Sequence, residues 1–285
     1  MIDTLLPLGK GQRTCLIAPA GTGKSTLLSH IAKSTEAEVI VIALIGERGR
    51  EVREFLDLTL SDELKKKCVV VVSTSEEAAI RRAKAQETAT TIAEYFRDKG
   101  KDVLLLVDSL TRTARALRDV GLSLGEMPVR HGFTPSVFAK LPILLERTGT
   151  SDKGSITAIY TLLGADDGGS EDPLAEEIKS LLDGHIILSR EVAASGIRPA
   201  INILKSLSRV EERLTPNEMI PFVSKLKKLL QRIERDKDLI LLGGSPDPEL
   251  KEALLLERKI SQFRNQGIND CFSISDSQSC LVNIF

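Results

Sequence analysis

The sequence predicts an α/β fold with a mainly parallel sheet, followed by a small α-helical C-terminal domain. Short continuous aliphatic runs alternate with helical patterns up to about residue 210, as in strands buried on both faces of a parallel sheet. The first run leads directly into a glycine loop that opens a helix. From about Glu211 the strand patterns stop and only helical periodicity continues. The expected division is therefore residues 1–210 and 211–285.

A length of 285 residues suits one large domain with a small appendix. Apolar residues make up 42% and charged residues 28%, enough for a core and a soluble surface. There are 39 basic and 40 acidic residues, a net charge of −1, which argues against a dedicated nucleic-acid binder. Cys15, Cys68, Cys271 and Cys280 form no C-x-x-C pair, and His30, His131 and His185 lie far from them. Buried or free thiols are expected, and no zinc site. The N-terminus lacks a basic start followed by a long apolar run, and no apolar stretch approaches the ~20 residues that span a bilayer. The expectation is a soluble, intracellular protein. Few residues precede the first strand, so no N-terminal domain is expected in this chain.

The first run, Cys15-Leu16-Ile17-Ala18, leads into Pro19-Ala20-Gly21-Thr22-Gly23-Lys24-Ser25-Thr26, after which Leu27, Leu28 and Ile31 recur at helical spacing. Strand, glycine loop and helix N-terminus are the context of a phosphate-binding loop. The glycines allow a tight turn whose N–H groups point inward, and the positive end of the helix adds to that field. Residues Ala20 to Thr26 are the expected cradle. Lys24 reaches the phosphates as a point charge, and Ser25 offers its hydroxyl to Mg²⁺. Ala18 stands where the motif's first glycine belongs, and alanine is small enough for the turn. A glycine turn that binds nothing is the alternative, disfavoured by the flanking strand and helix.

Val39 to Ile45 reads as a buried strand that ends in Gly46-Glu47-Arg48-Gly49-Arg50. Ligands bind at that edge of open α/β sheets. A carboxylate there can orient and deprotonate a water for attack on a phosphate, so Glu47 is the general-base candidate. Complementing the following helix dipole is its plainer role. Arg48 and Arg50 are candidates for phosphate or subunit contact.

Residues 51–60 read as a helix and Cys68 to Ser73 as a strand. A long helix is expected over 76–99, with Arg81, Arg82, Lys84 and Glu87 on a solvated face. Val103 to Val107 is a further apolar run ending in Asp108, the form of a Walker B strand whose carboxylate binds Mg²⁺. Ser109 and Thr111 are available to cap the next helix. Thr134 and Pro135 open another helix as cap and first residue, after a loop that suits a subunit contact. The stretch GSITAIYTLLGADDGG gives a strand and an acidic glycine loop; Glu176 and Glu177 sit on a short helix, and DGHIILSRE gives another strand. Arg209 is either a surface arginine or a residue that reaches a neighbouring subunit's site to stabilise charge on a phosphoryl group. Two helices follow, broken near Gly243-Gly244 and Pro246-Asp247-Pro248. The last fifteen residues, polar and serine-rich, are expected to be loosely held.

Taken together, LIGERGREV, DSLTRTARAL, PSVFAKLPILLERTG, GSITAIYTLL, DGHIILSRE and SLSRV, in this order, resemble the ATPases of flagellar and virulence type III protein export. These are relatives of the catalytic subunit of rotary ATP synthases. The resemblance implies a RecA-like P-loop NTPase core in a homohexameric ring with ATP at the subunit interfaces. It implies Lys24 and Ser25 on phosphate and Mg²⁺, Glu47 as catalytic carboxylate, Asp108 at the metal and Arg209 as a finger in trans. The implied reaction is Mg²⁺-dependent ATP hydrolysis that releases and unfolds export substrates. Implied partners are chaperone–substrate complexes and the stator and stalk of the export apparatus, peripheral to the bacterial inner membrane, with no nucleic acid.

Family members normally begin with a small β-barrel that helps close the ring, and its lack here implies weakened hexamers. Arg198, beside Pro199, stands where export ATPases carry an aromatic that stacks on adenine; in this it is similar to the non-catalytic ATP synthase subunit. Arginine also stacks on a base. GKGQR and DSLTRTARA resemble the transcription terminator Rho, so an RNA-directed motor is the alternative. Against it stand GERGREV, the near-neutral charge and only 4% aromatics. A non-catalytic ring subunit is the third reading, opposed by Glu47 and Asp108.

Overall fold

The computed structural model describes residues 1–164, 173–236, 245–267 and 270–285. In chain order, α1 (Ile2–Leu5) precedes β1 (Arg13–Ala18), α2 (Lys24–Ser34), β2 (Val39–Ile45), α3 (Gly49–Thr59) and α4 (Asp62–Lys65). Next come β3 (Cys68–Ser73), α5 (Ala79–Asp98), β4 (Asp102–Asp108), α6 (Leu110–Ser123) and α7 (Pro135–Glu146). They are followed by β5 (Gly149–Thr150), β6 (Ser155–Leu163), α8 (Pro173–Leu181), β7 (Gly184–Ile187), α9 (Arg190–Ala194) and β8 (Leu207–Ser208). The chain ends with α10 (Glu211–Leu214), α11 (Ile220–Arg235), α12 (Pro248–Arg264) and α13 (Ile274–Val282).

The sheet runs β3-β2-β4-β6-β1-β7-β8, with β5 beside β6. Neighbours from β3 to β7 are parallel, while β5 and β8 pair antiparallel. The sequence expects this mixture, because its aliphatic runs leave no polar face. Alternate residues of each run serve opposite cores. Leu16, Ile40, Ile42, Leu44, Leu104 and Leu106 face one cluster; Cys15, Val41, Ala43, Val103, Leu105 and Val107 face the other. The second cluster is closed by Ala83, Ala89 and Ala93 of α5, with Ala114 and Leu117 of α6. Small alanines on α5 let that helix lie close to both the sheet and α6. Each fully buried leucine adds about 1.5–3 kcal/mol relative to exposure.

The first cluster includes Val223, Leu226 and Leu229 of α11, Ala253 and Ile260 of α12, and Leu281 with Ile284. The helices after Glu211 thus share their core with one face of the sheet. The last fifteen residues differ from expectation. Ser273 and Asp276 form a capping box that starts α13, and Leu281 and Ile284 are buried. A satisfied N-terminus and two apolar anchors hold a segment whose composition alone suggests looseness.

Three smaller expectations also change. Thr134 occupies the N-cap position of α7, but its side chain makes no cap hydrogen bond; its hydroxyl lies 3.1 Å from that of Ser136. Arg82 does not join a solvated face: it turns inward, 3.7 Å from Asp119 of α6. Ala18 is the last residue of β1, opposite Leu163 in the ladder, so extended backbone is required there and a glycine is not. The acidic glycine loop and the break at Gly243-Gly244 lie outside the described residues.

Candidate functional site

The C-terminal edge of the sheet gathers three loops. After β1, Gly21 and Gly23 adopt φ of 80° and 91°, and a Cβ on either would meet nothing within 4 Å. The loop is thus folded by backbone conformations that favour glycine, with open space above it. Thr22 is buried and its hydroxyl donates to the Pro19 carbonyl at 2.8 Å, which ties the turn together. Lys24 opens α2, with Gly23 as its N-cap.

After β2, Gly46 takes φ of 71°, and a Cβ there would sit 2.8 Å from Cδ of Arg112. Only glycine lets the Arg112 side chain lie across this turn, where its guanidinium donates to the Gly46 carbonyl. Glu47 follows, buried in spite of its charge. After β4, Asp108 ends the strand and Ser109 caps α6 by accepting from the Arg112 N–H. Thr111 does not cap; its hydroxyl accepts from the Leu163 N–H at 3.0 Å and joins α6 to β6.

These loops bring Lys24, Glu47 and Asp108 together. The ammonium of Lys24 donates to Oδ1 of Asp108 and lies 3.7 Å from Oε1 of Glu47. Thr161 on β6 donates to the same Asp108 oxygen at 2.7 Å, which fixes that carboxylate's position. Arg112 holds the other oxygen of Glu47 at 2.9 Å. One lysine therefore stands between two buried carboxylates, each oriented by a second group. Removing it would leave Asp108 without a cationic partner, whereas Glu47 keeps Arg112, a cost of about 3–5 kcal/mol for a broken buried pair.

Burial is the largest influence on the Glu47 carboxyl, which is pushed up to about 7. A hydrogen bond with Glu51 and the negative charge of Asp108 act in the same direction, against Lys24 and Arg112. The Glu51 carboxyl moves down, first through its hydrogen bond with Glu47 and then through Arg48 and Arg112. Within this carboxyl pair Glu47 is the group pushed up and Glu51 the group pushed down. A carboxylate tuned near neutrality beside a phosphate cradle is suited to accept a proton from water.

A cavity of about 550 Å³ opens over this constellation. Of the residues expected from sequence, Ala20, Gly21, Gly23, Lys24, Ser25, Thr26, Glu47 and Asp108 line it, and Thr22 braces it from beneath. Arg48 is exposed, 3.9 Å from Glu51. Arg209 is exposed after β8, held through its backbone N–H to the Asp183 carbonyl, and does not line the cavity. Arg198 donates to the Ala193 carbonyl at 2.8 Å and joins the end of α12 through Asn265. Pro199 lines a different cavity. Sequence reading missed Arg112, Thr161 and Glu51. For Arg112 a signal exists: it falls one turn into the helix that begins at Ser109, so it returns toward the sheet edge beside Asp108.

Comparison with known proteins identifies the family. Residues 1–208 match the ATP synthase alpha/beta family, nucleotide-binding domain. A type 3 secretion system ATPase of Xanthomonas euvesicatoria is 53% identical, over 100% of this chain and 65% of the relative. A flagellum-specific ATP synthase of Bacillus subtilis is 46% identical, over 99% of this chain and 65% of the relative. The assembled ATPase EscN from enteropathogenic E. coli, solved in complex with its central stalk EscO, superposes with a TM-score of 0.92 at 48% identity. That match covers 99% of this chain and 68% of EscN. The chain thus spans 65% of the length of these two curated relatives. The chain belongs to the ATP synthase alpha/beta family of nucleotide-binding domains.

Proposed function

We propose that this chain hydrolyses ATP, with Mg²⁺, to energise type III protein export in a flagellar or virulence system. The observation that carries the reading is Lys24 set between Glu47 and Asp108 over an open glycine cradle. Lys24 and the loop N–H groups bind the phosphate chain. Glu47, oriented by Arg112, takes the proton of the attacking water. Arg112 also keeps Glu47 from turning away, because one guanidinium holds both Glu47 and the Gly46 carbonyl.

The residues present fit Mg²⁺. Ser25 is exposed at the head of α2, and Asp108 is fixed across the cavity by Thr161; these are oxygen donors, as a hard cation requires. Among the described residues no group of three or more His, Cys, Asp or Glu could hold a metal alone. Mg²⁺ is normally bound by one or two protein oxygens, with phosphate and water completing its shell. When bound, the cation neutralises charge on the phosphates.

The wider reading rests on the relatives. Export ATPases, one of them solved in assembled form with a stalk, support a ring of identical subunits and a stalk partner. In that ring Arg209, exposed and not lining its own chain's cavity, completes a neighbour's site. Arg198, once released from the Ala193 carbonyl that now holds its guanidinium, stacks on adenine, with Pro199 beside it in sequence. Chaperone-bound export substrates are the cargo, and stator proteins hold the ring at the membrane surface. No helix among the described residues is long and apolar enough to cross a membrane. The RNA-motor alternative finds no support in the relatives described above, and the buried, oriented Glu47 favours turnover over a non-catalytic role. Steady-state phosphate release over a wide protein concentration range, with and without Mg²⁺, tests the proposal. A specific activity that rises with concentration and needs Mg²⁺ is expected; none at any concentration would overturn it.

A further inference from the structure

Helix α3 leaves one face uncovered. A groove of about 770 Å³ runs along it, and its lining residues, Gly49, Arg50, Arg53, Glu54, Asp57 and Leu58, all belong to that helix. Arg50, Arg53, Glu54 and Asp57 are exposed, and among the described residues none of them forms an ion pair. Leu58 is 56% exposed. Glu54 and Leu58 also line the phosphate cavity, so the groove adjoins that site. Along α3 the order is basic, acidic, apolar.

A matching pattern follows Arg209. In α10, Glu212 and Arg213 are exposed and likewise form no ion pair among the described residues, and Leu214 is 42% exposed. Glu211 differs, because Lys227 already holds it. Along α10 the order is therefore acidic, basic, apolar. This turn follows β8 at one end of the sheet, whereas α3 lies between β2 and β3 in the chain, the strands of the other end. The two surfaces can thus meet head to tail between copies, the arrangement that closes a ring. Glu212 to Leu214 follow Arg209 closely in sequence, so a copy that carries Arg209 to a neighbour's cavity also lays them on that cavity's rim. We propose that the α10 turn of one copy docks into the α3 groove of the next. Glu212 faces Arg50 and Arg53, Arg213 faces Glu54 and Asp57, and Leu214 covers Leu58. A shifted register sets like charges together, so the pattern fixes where α10 lands. The inference rests on the reading that Arg209 serves a neighbour, and it adds the contact that aims that residue.

A charge swap tests the contact without altering the site, because neither Asp57 nor Arg213 lines the phosphate cavity. Phosphate release is measured against protein concentration. Asp57→Arg and Arg213→Asp each set like charges face to face. Each should raise the concentration at half-maximal specific activity by on the order of tenfold and leave the plateau rate unchanged. The double variant Asp57→Arg/Arg213→Asp should return close to the parent curve. No shift in the single variants, or no recovery in the double one, would overturn the proposal.

A second measurement traps the contact. With the exposed Cys271 and Cys280 replaced by serine, a short bis-maleimide should join Leu58→Cys/Leu214→Cys chains into covalent oligomers, while either single variant stays monomeric. Monomers alone from the double variant would count against the docking. Mixing Arg209→Ala with Glu47→Gln chains separates this inference from the reading beneath it. Activity that fails to recover on mixing removes the role of Arg209 in a neighbour's site and the docking with it. Recovery on mixing, with a charge swap that has no effect, removes the docking alone.

Discussion

At the residue scale, the site depends on how Glu47 is held. Burial raises its carboxyl to about 7, and Arg112 and Lys24 oppose that rise. As a base it must be unprotonated, so kcat/KM is predicted to fall on the acid side of about pH 7, reporting the free protein. In Arg112→Ala one of the opposing positive charges is gone, and the acid limb should move to higher pH. The same change should lower kcat by on the order of 100-fold, as for loss of an oriented polar group at a reacting centre. A pH–rate profile of both proteins checks the two effects together. The linkage to stability has a definite sign. The native state keeps a proton that the unfolded chain releases above the ordinary carboxyl value of 4.5, so Glu47 stabilises the fold at low pH. That contribution is lost as pH rises from about 4.5 to about 7. Lys24, Glu47 and Asp108 are legible in sequence because each closes a motif within one continuous segment. Thr161 and Arg112 are not, because their contacts cross 53 and 66 residues of chain and depend on which strands become neighbours.

At the element scale, the strands declare themselves by unbroken aliphatic runs, since a parallel sheet covered on both faces admits few polar residues. The helix α13 hides because its exposed face is serine-rich. Its start, Ser273 with Asp276 three residues on, and its anchors Leu281 and Ile284 are visible only to a reader who looks for a cap rather than for composition. Two substitutions separate these contributions. Leu105→Ala, in the middle of β4, should cost about 2–5 kcal/mol through the cavity it leaves. Ser273→Ala should cost about 1 kcal/mol through the lost cap. Denaturant unfolding of both variants measures the difference. Gly46 is the element-scale constraint that bears directly on the site. Its φ of 71° and the 2.8 Å approach of Arg112 mean that Gly46→Ala must displace Arg112 and with it the orientation of Glu47.

At the scale of the whole molecule, the sheet order places β6 between β4 and β1, so Asp108 and the phosphate loop face each other across one intervening strand. Thr161 on that strand bridges the gap. Arg209 does not line the cavity of its own chain. If it serves a neighbour, Arg209→Ala and Glu47→Gln chains, each inactive alone, should regain phosphate release when mixed, since one interface then combines an intact Glu47 with an intact Arg209. Absence of recovery in mixed assemblies would remove Arg209 from the mechanism. The central claim, that Glu47 activates water beside a Lys24-bound phosphate chain, is tested most directly by Glu47→Gln, with ATP binding and phosphate release measured on the same preparation. ATP binding retained with phosphate release abolished is the predicted result. Undiminished phosphate release from the variant would contradict it.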